Sequence, residues 1–120
     1  MAKILISPSK YVQGAGEMKN LGKYAASYGS NALVLISAGG HRRIGTLIEE
    51  SFADSGCGIS FEYFNGECSK TEINRLTALV QAKGFDLVIG VGGGKIFDTA
   101  KAVAYYAKSP VLICPTIAST

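Results

Sequence analysis

The stretch from Asp86 to Lys101 constrains the fold of this chain more than any other. It reads DLVIGVGGGKIFDTAK: an apolar run of Leu87, Val88, Ile89 and Val91, then Gly92-Gly93-Gly94, then the opening of a helix that carries Lys95 and Asp98. A run of that length and character suits a strand buried on both faces, as in a parallel sheet covered by helices. Three successive glycines let the backbone turn tightly and approach a ligand with no side chain between. Each would cost roughly 1 kcal/mol in a regular element, which argues against a purely structural turn. The helix that follows offers unpaired N–H groups and a partial positive charge, and Lys95 adds a full one, so the turn reads as a site for a nucleotide's phosphates. Two glycine motifs are excluded by their spacing. G-x-G-x-x-G fails because Gly90-Val91-Gly92 is followed three residues later by Lys95. G-x-x-x-x-G-K-[ST] fails because Ile89 stands at the first glycine and Ile96 follows Gly94-Lys95.

The rest of the chain repeats the strand-then-helix pattern. Ile4-Leu5-Ile6 is a short predicted strand, and Tyr11-Val12-Gln13 returns as a second extended piece to make an N-terminal β-hairpin. Helical spacing of Met18, Leu21, Tyr24, Ala25 and Tyr28 predicts a helix from about Glu17 to Tyr28, with Gly29 at its C-cap. Ala32 to Ile36 is an apolar strand, Gly39-Gly40 a loop, and Ile44, Leu47, Ile48 and Phe52 mark a helix from about Arg42 to Ser55. Ile59, Phe61 and Tyr63 alternate with polar residues as in a strand. Ser69-x-x-Glu72 is a capping box, in which Glu72 reaches back to its cap, and it opens a helix over Ile73, Leu76, Leu79 and Val80 that Gly84 stops. A helix from Lys95 to Ala107, with Lys108 complementing its dipole, and a strand Val111-Leu112-Ile113 closed by Pro115 complete the series. The alternation predicts an α/β fold: a Rossmann-like, mostly parallel sheet with helices on both faces. Ligands of such sheets sit beyond the carboxyl ends of the strands, where three predicted loops fall, at 37–41, 92–95 and 115–120.

Composition narrows the function. At 120 residues the chain makes one domain with a single core. A net charge of +3, with no basic run longer than Arg42-Arg43, argues against nucleic acid. No apolar stretch reaches ~18 residues, so none spans a membrane, and residues 1–15, with Lys3, Pro8, Lys10 and Gln13, are no signal peptide. Cys57, Cys68 and Cys114 form no C-x-x-C and read as free thiols of a reducing cytoplasm. His41 is the single histidine and reads as a surface loop residue without partners for a metal.

Gly92 to Lys101, GGGKIFDTAK, behind its DLVIGV strand, resembles the glycerol dehydrogenase branch of the iron-dependent (group III) alcohol dehydrogenase family; many other members carry Ser at the position of Lys95. Ser7 to Gly14 (SPSKYVQG), Gly66 to Ser69 (GECS) and Pro115 to Thr120 (PTIAST) agree in order and separation. The resemblance covers the whole chain, and the chain covers the first third or so of such an enzyme. It implies that residues 1–120 are a dinucleotide-binding domain, with NAD as cofactor and glycerol or a similar small polyol as the parent's substrate, oxidised to dihydroxyacetone. Gly92, Gly93, Gly94 and Lys95 then meet the pyrophosphate. Thr116 and Ser119 contact the cofactor, and Asp98 lies near the nicotinamide or its ribose. Read without the resemblance, Asp98 is a dipole complement in the first turn of its helix, and Thr116 and Ser119 belong to a polar loop.

The same resemblance implies a metal, zinc or another divalent ion, that acidifies the alcohol in full-length relatives. Its ligands are an Asp and two His of a following helical domain that this chain lacks. No catalytic and no metal-binding residue is therefore assigned, and the chain alone is expected to be inactive. It reads as truncated, one residue short of an Asp that contacts the polyol in relatives; a sheet edge left uncovered there would invite self-association or pairing with another chain. Ser37 departs from the pattern, since most relatives carry Asp there. Two readings stand: Ser37 bonds the adenosine ribose of NAD and the arginines are a solvated helix start, or Ser37 with His41, Arg42 and Arg43 admits the 2′-phosphate of NADP. The alternatives in function are a non-enzymatic nucleotide-binding or assembly module, and a fragment like sn-glycerol-1-phosphate dehydrogenase, from which Lys95 and the GECS segment point away.

Overall fold

The computed structural model describes residues 9–11, as backbone, and residues 19–116. Five strands form one sheet: β1 (Ser9–Tyr11), β2 (Asn31–Ile36), β3 (Gly58–Tyr63), β4 (Leu87–Gly92) and β5 (Val111–Pro115). Their spatial order is β1-β5-β4-β2-β3, and every pairing is parallel. Four helices connect them: α1 (Leu21–Ala26), α2 (Ala38–Phe52), α3 (Lys70–Lys83) and α4 (Gly94–Ala107).

The central strands β2, β4 and β5 are apolar at nearly every position because both of their faces are covered. Alternate residues go to opposite faces. Ala32, Val34, Ile36, Leu87, Ile89, Val91, Leu112 and Cys114 pack with Leu21, Ala25, Ile48 and Phe52 of α1 and α2. Leu33, Leu35, Val88, Val111 and Ile113 pack with Leu76, Val80, Ile96, Ala100 and Val103 of α3 and α4. The result is the α/β sheet with helices on both faces that the alternation predicts.

Several boundaries differ from the sequence reading, each for a local reason. Ile4–Ile6 and residues 12–18 of the predicted hairpin and first helix lie outside the described residues; Ser9–Tyr11 runs parallel to Val111–Ile113. Helix α1 ends at Ala26 with Ser27 as its cap, so Gly29 is not the C-cap. Gly29 instead leaves room for Asp86, whose Oδ1 would lie 2.6 Å from a Cβ there. Helix α2 begins four residues earlier than predicted and runs through Gly39-Gly40, because Ser37 caps it directly at the end of β2: its Oγ accepts from Gly40 N at 2.9 Å. The capping box is half formed. Ser69 Oγ accepts from Glu72 N at 3.1 Å, but the Glu72 carboxylate turns to Asn65 N and Arg75 instead of back to Ser69.

Asp86 fixes the opposite, amino edge of the sheet. Its carboxylate accepts from the amides of Ser30 and Asn31 and from the Ser30 hydroxyl. Burial alone would raise this carboxyl, but those bonds together hold it below the ordinary carboxylate range.

Candidate functional site

The chain leaves β2 toward β3 on one side and β4 toward β5 on the other, so the crevice between the carboxyl ends of β2 and β4 is the switch point of the sheet. Register decides which residues meet there. Ile36 pairs with Val91, so Ser37 and Gly92 leave the sheet side by side. Gly92 pairs with Pro115, and Thr116 N donates to Gly92 O at 3.1 Å. Ser37, Gly92 and Thr116 are thus brought together by strand pairing alone, and Gly93, Gly94, Lys95 and Asp98 follow on α4. Ser119 lies outside the described residues.

The three glycines have different reasons to be glycine. Gly92 has φ 148°, and a Cβ there would stand 2.8 Å from Ile96 Cδ1. The conformation requires glycine, while the close contact is with the flexible end of Ile96 alone. Gly93 is extended (φ −121°), and a Cβ on Gly93 or Gly94 would meet nothing within 4 Å. Nothing in the fold demands glycine at these two positions. They lie exposed at the start of α4, where no side chain caps the first-turn amides. A surface bare of side chains beside unsatisfied N–H groups fits an anion that comes up to the backbone. Gly90 serves packing: a Cβ there would lie 2.9 Å from Ala100 Cβ, so α4 seats closely on β4.

Lys95 projects from the same turn and pairs with Glu67, Nζ to Oε2 3.2 Å, with the two side chains 64% and 73% exposed. Exposed pairs of this kind contribute about 0–1 kcal/mol, so Lys95 can leave this partner at little cost. The sequence gives no sign of the contact, since Glu67 and Lys95 are 28 residues apart. The loop that presents Glu67 is anchored from below. Buried Glu72 accepts from Asn65 N at 3.0 Å and from Arg75 at 2.8 Å, and Arg75 also reaches Glu62 and Tyr63 O. The Arg75 hydrogen bond outweighs burial, and with the Asn65 amide it holds the Glu72 carboxyl below its usual value.

Asp98 is exposed and is the fifth residue of α4, beyond the first turn, because the helix starts at Gly94 rather than at Lys95. The dipole effect falls off within the first turn, so that role does not apply to it. It makes no ion pair or hydrogen bond with a described residue. His41 is corrected as well. It belongs to α2, not to a loop; its ring packs tilted against Phe61, centroids 4.4 Å apart, and its Nδ1 shares a 2.7 Å hydrogen bond with Tyr63 OH.

Among the described residues no group of three or more His, Cys, Asp or Glu side chains is placed to hold a metal ion, so no step through a metal is assigned to them. Cys57, Cys68 and Cys114 carry no disulfide. Burial pushes the Cys114 thiol up to about 11, which leaves it without nucleophilic character at neutral pH.

A wholly parallel sheet with helices on both faces and a glycine turn at its switch point defines a Rossmann-like, doubly wound α/β domain. More narrowly, the chain belongs to the iron-containing alcohol dehydrogenase family, whose model it matches over residues 8–120. It is 41% identical to the glycerol dehydrogenase of Pseudomonas putida over 120 residues, all of this chain and 33% of that protein. To the glycolaldehyde reductase of Halobacterium salinarum it is 40% identical, over 99% of this chain and 33% of the relative. The crystal structure of a probable glycerol dehydrogenase from Sinorhizobium meliloti superposes with a TM-score of 0.80 at 42% identity, covering 94% of this chain and 30% of the other. The chain therefore spans about a third of the length of the curated relatives it matches. Within the described residues no helix is long and apolar enough to cross a membrane.

Proposed function

We propose that residues 1–120 are the dinucleotide-binding domain of a polyol dehydrogenase of the glycerol dehydrogenase kind, with NAD bound across the carboxyl edge of the sheet. The observation that carries this reading is the pair Gly93 and Gly94, glycines that neither backbone conformation nor packing requires, at a helix start that no side chain caps. A pyrophosphate laid there receives the first-turn amides of α4 and the Lys95 ammonium, and Lys95 leaves Glu67 to meet it. Gly92 sets the turn, Thr116 borders it, and Ser37 faces the adenosine ribose across the crevice. Asp98, exposed one turn further along α4, and Ser119 are assigned to the nicotinamide half on the family resemblance.

In the whole reaction a hydride passes from C2 of glycerol to the nicotinamide ring, the hydroxyl proton leaves to solvent, and dihydroxyacetone and NADH result. The family resemblance implies that a divalent metal, held by residues outside this chain, would supply the acidification of that hydroxyl. The residues of this chain bind and orient the dinucleotide. Titration of NADH fluorescence with the chain tests this: saturable binding is expected, weakened about tenfold by Lys95→Ala. No NADH should form from glycerol and NAD with the chain alone. Unchanged affinity in the Lys95 variant would remove the pyrophosphate assignment, and turnover by the chain would overturn the division of labour.

A further inference from the structure

We propose that Glu67 is a built-in competitor of the nucleotide: in the free chain its carboxylate occupies Lys95 in place of a phosphate, and so lowers the affinity of the crevice for its ligand. This inference rests on the dinucleotide reading above and adds a regulatory contact to it. The one carboxylate on α4 itself is Asp98, three residues beyond Lys95, a spacing at which side chains of a helix meet. Lys95 passes it over and bonds Glu67, 28 residues away in the chain. The ion pair is therefore presented to α4 by the connection between β3 and α3 and does not arise from the surface of α4.

Strand β3 lies on the far side of β2 from β4, so residues 64–69 carry the chain past the carboxyl end of β2 to bring Glu67 to the start of α4. Both ends of this strap are pinned. Phe64 N donates to Ile36 O at 3.0 Å, the last rung beside the crevice, and Asn65 N donates to buried Glu72. At the other end Ser69 Oγ accepts from Glu72 N. Between the pins the chain folds on itself. Glu67 N donates to Asn65 Oδ1 at 3.1 Å, Ser69 N donates to Glu67 O at 3.0 Å, and Gly66 takes φ 110°, which favours glycine. The backbone of Glu67 is thus set in advance, and only its exposed side chain must be ordered to reach Lys95. Carboxylate and phosphate oxygens offer an ammonium the same kind of charged acceptor. Lys95 has three donors, but holding both anions at once would set Glu67 within a few ångströms of the pyrophosphate, where like charges repel. Binding of the nucleotide therefore displaces Glu67, and the affinity is reduced by what that displacement costs.

The test is a double-mutant cycle read by NADH fluorescence at low salt, where exposed charge pairs act most strongly, on the wild type, Glu67→Gln, Lys95→Ala and the double variant. Both side chains are exposed and the strap's backbone bonds remain, so all four proteins fold. Glu67→Gln is expected to tighten NADH binding about three- to fivefold, the scale of an exposed ion pair. In the Lys95→Ala background the same substitution should change Kd by less than about twofold, because no lysine is left to release. Unchanged or weaker binding by Glu67→Gln, with Lys95→Ala still weakening it, would overturn the inference and leave the pyrophosphate reading intact. An equal gain in both backgrounds would overturn it too, since Glu67 would then act by its charge alone and not through Lys95. Failure of NADH to bind, or unchanged affinity in Lys95→Ala, would remove the pyrophosphate reading and this inference with it.

Discussion

Helices α3 and α4 lie on the same face of the sheet, are fourteen residues long each, and are finished in opposite ways. Helix α3 begins with Ser69, whose hydroxyl accepts from Glu72 N, and ends with Gly84 at φ 71°. Helix α4 begins with Gly93, which caps nothing with a side chain, and ends with Lys108 at φ 59°. Each helix thus carries a glycine at one end, but only α3 carries it at the end where a left-handed residue is needed. The local sequence of α3 serves the helix. At α4 the N-terminal glycine does nothing for the helix, and it leaves bare the backbone on which the pyrophosphate is proposed to lie.

Exchanging the two N-terminal designs gives the largest expected effect. Gly93→Asp supplies α4 with the acceptor it lacks, and Gly93 is already extended with open space at its Cβ, so thermal stability should hold or rise by a few tenths of a kcal/mol. The new carboxylate would stand where the pyrophosphate is proposed to lie. At a separation of a few ångströms, repulsion near a protein surface reaches about 4 kcal/mol, so NADH affinity should fall on the order of 100-fold or more. Ser69→Ala should do the reverse, losing about 1 kcal/mol of stability with little change in nucleotide affinity. Equal effects of the two variants on binding would erase the contrast between the helices.

A second, intermediate effect belongs to α3. Glu72 is buried, with Arg75 and Asn65 N as its partners, while Arg75 is 42% exposed and its pairing is partly screened. Glu72→Gln should cost about 2 kcal/mol in urea denaturation. The folded state holds the carboxyls of Glu72 and Asp86 below their ordinary values. Their contribution is therefore complete at neutral pH and is lost as the pH falls from the ordinary carboxylate range, about 4, through the lower folded values. The variant should show a shallower loss of stability over that acid window; an identical slope would take Glu72 out of the account.

The two helices also show what the chain's own letters disclose. Apolar runs such as Leu87–Val91 and Val111–Ile113 are long enough for one strand and too short for a helix, so the parallel sheet was legible, as were Ser69 and Gly84 at the ends of α3. The start of α2 was not. Ser37-Ala38-Gly39-Gly40 has the composition of a loop, and only the bond from Gly40 N to Ser37 Oγ makes it a first turn. In the proposed site, the glycine turn and Lys95 stand out in the sequence because they are contiguous. The meeting of Ser37, Gly92 and Thr116 depends on register between strands far apart in sequence. Glu67 beside Lys95 depends on loop and side-chain placement that no spacing encodes.

The smallest expected effect lies at the other end of α4. Lys108 holds a left-handed conformation as the helix's C-cap, where a Cβ is crowded by the neighbouring carbonyl and glycine is not. Its charge beside the C-terminal end of the dipole is favourable by about 0.3–1 kcal/mol, which offsets part of the strain. Lys108→Gly removes both terms and leaves a net gain of about 0.5 kcal/mol. For a domain of this size that is a rise in Tm of about 2 °C, with nucleotide affinity unaltered because the residue sits at the far end of α4 from Gly93. A fall in Tm would mean that the charge outweighs the strain. The C-terminus of α4 would then be as well adapted as that of α3, and the contrast between the two helices would be confined to the end that faces the crevice.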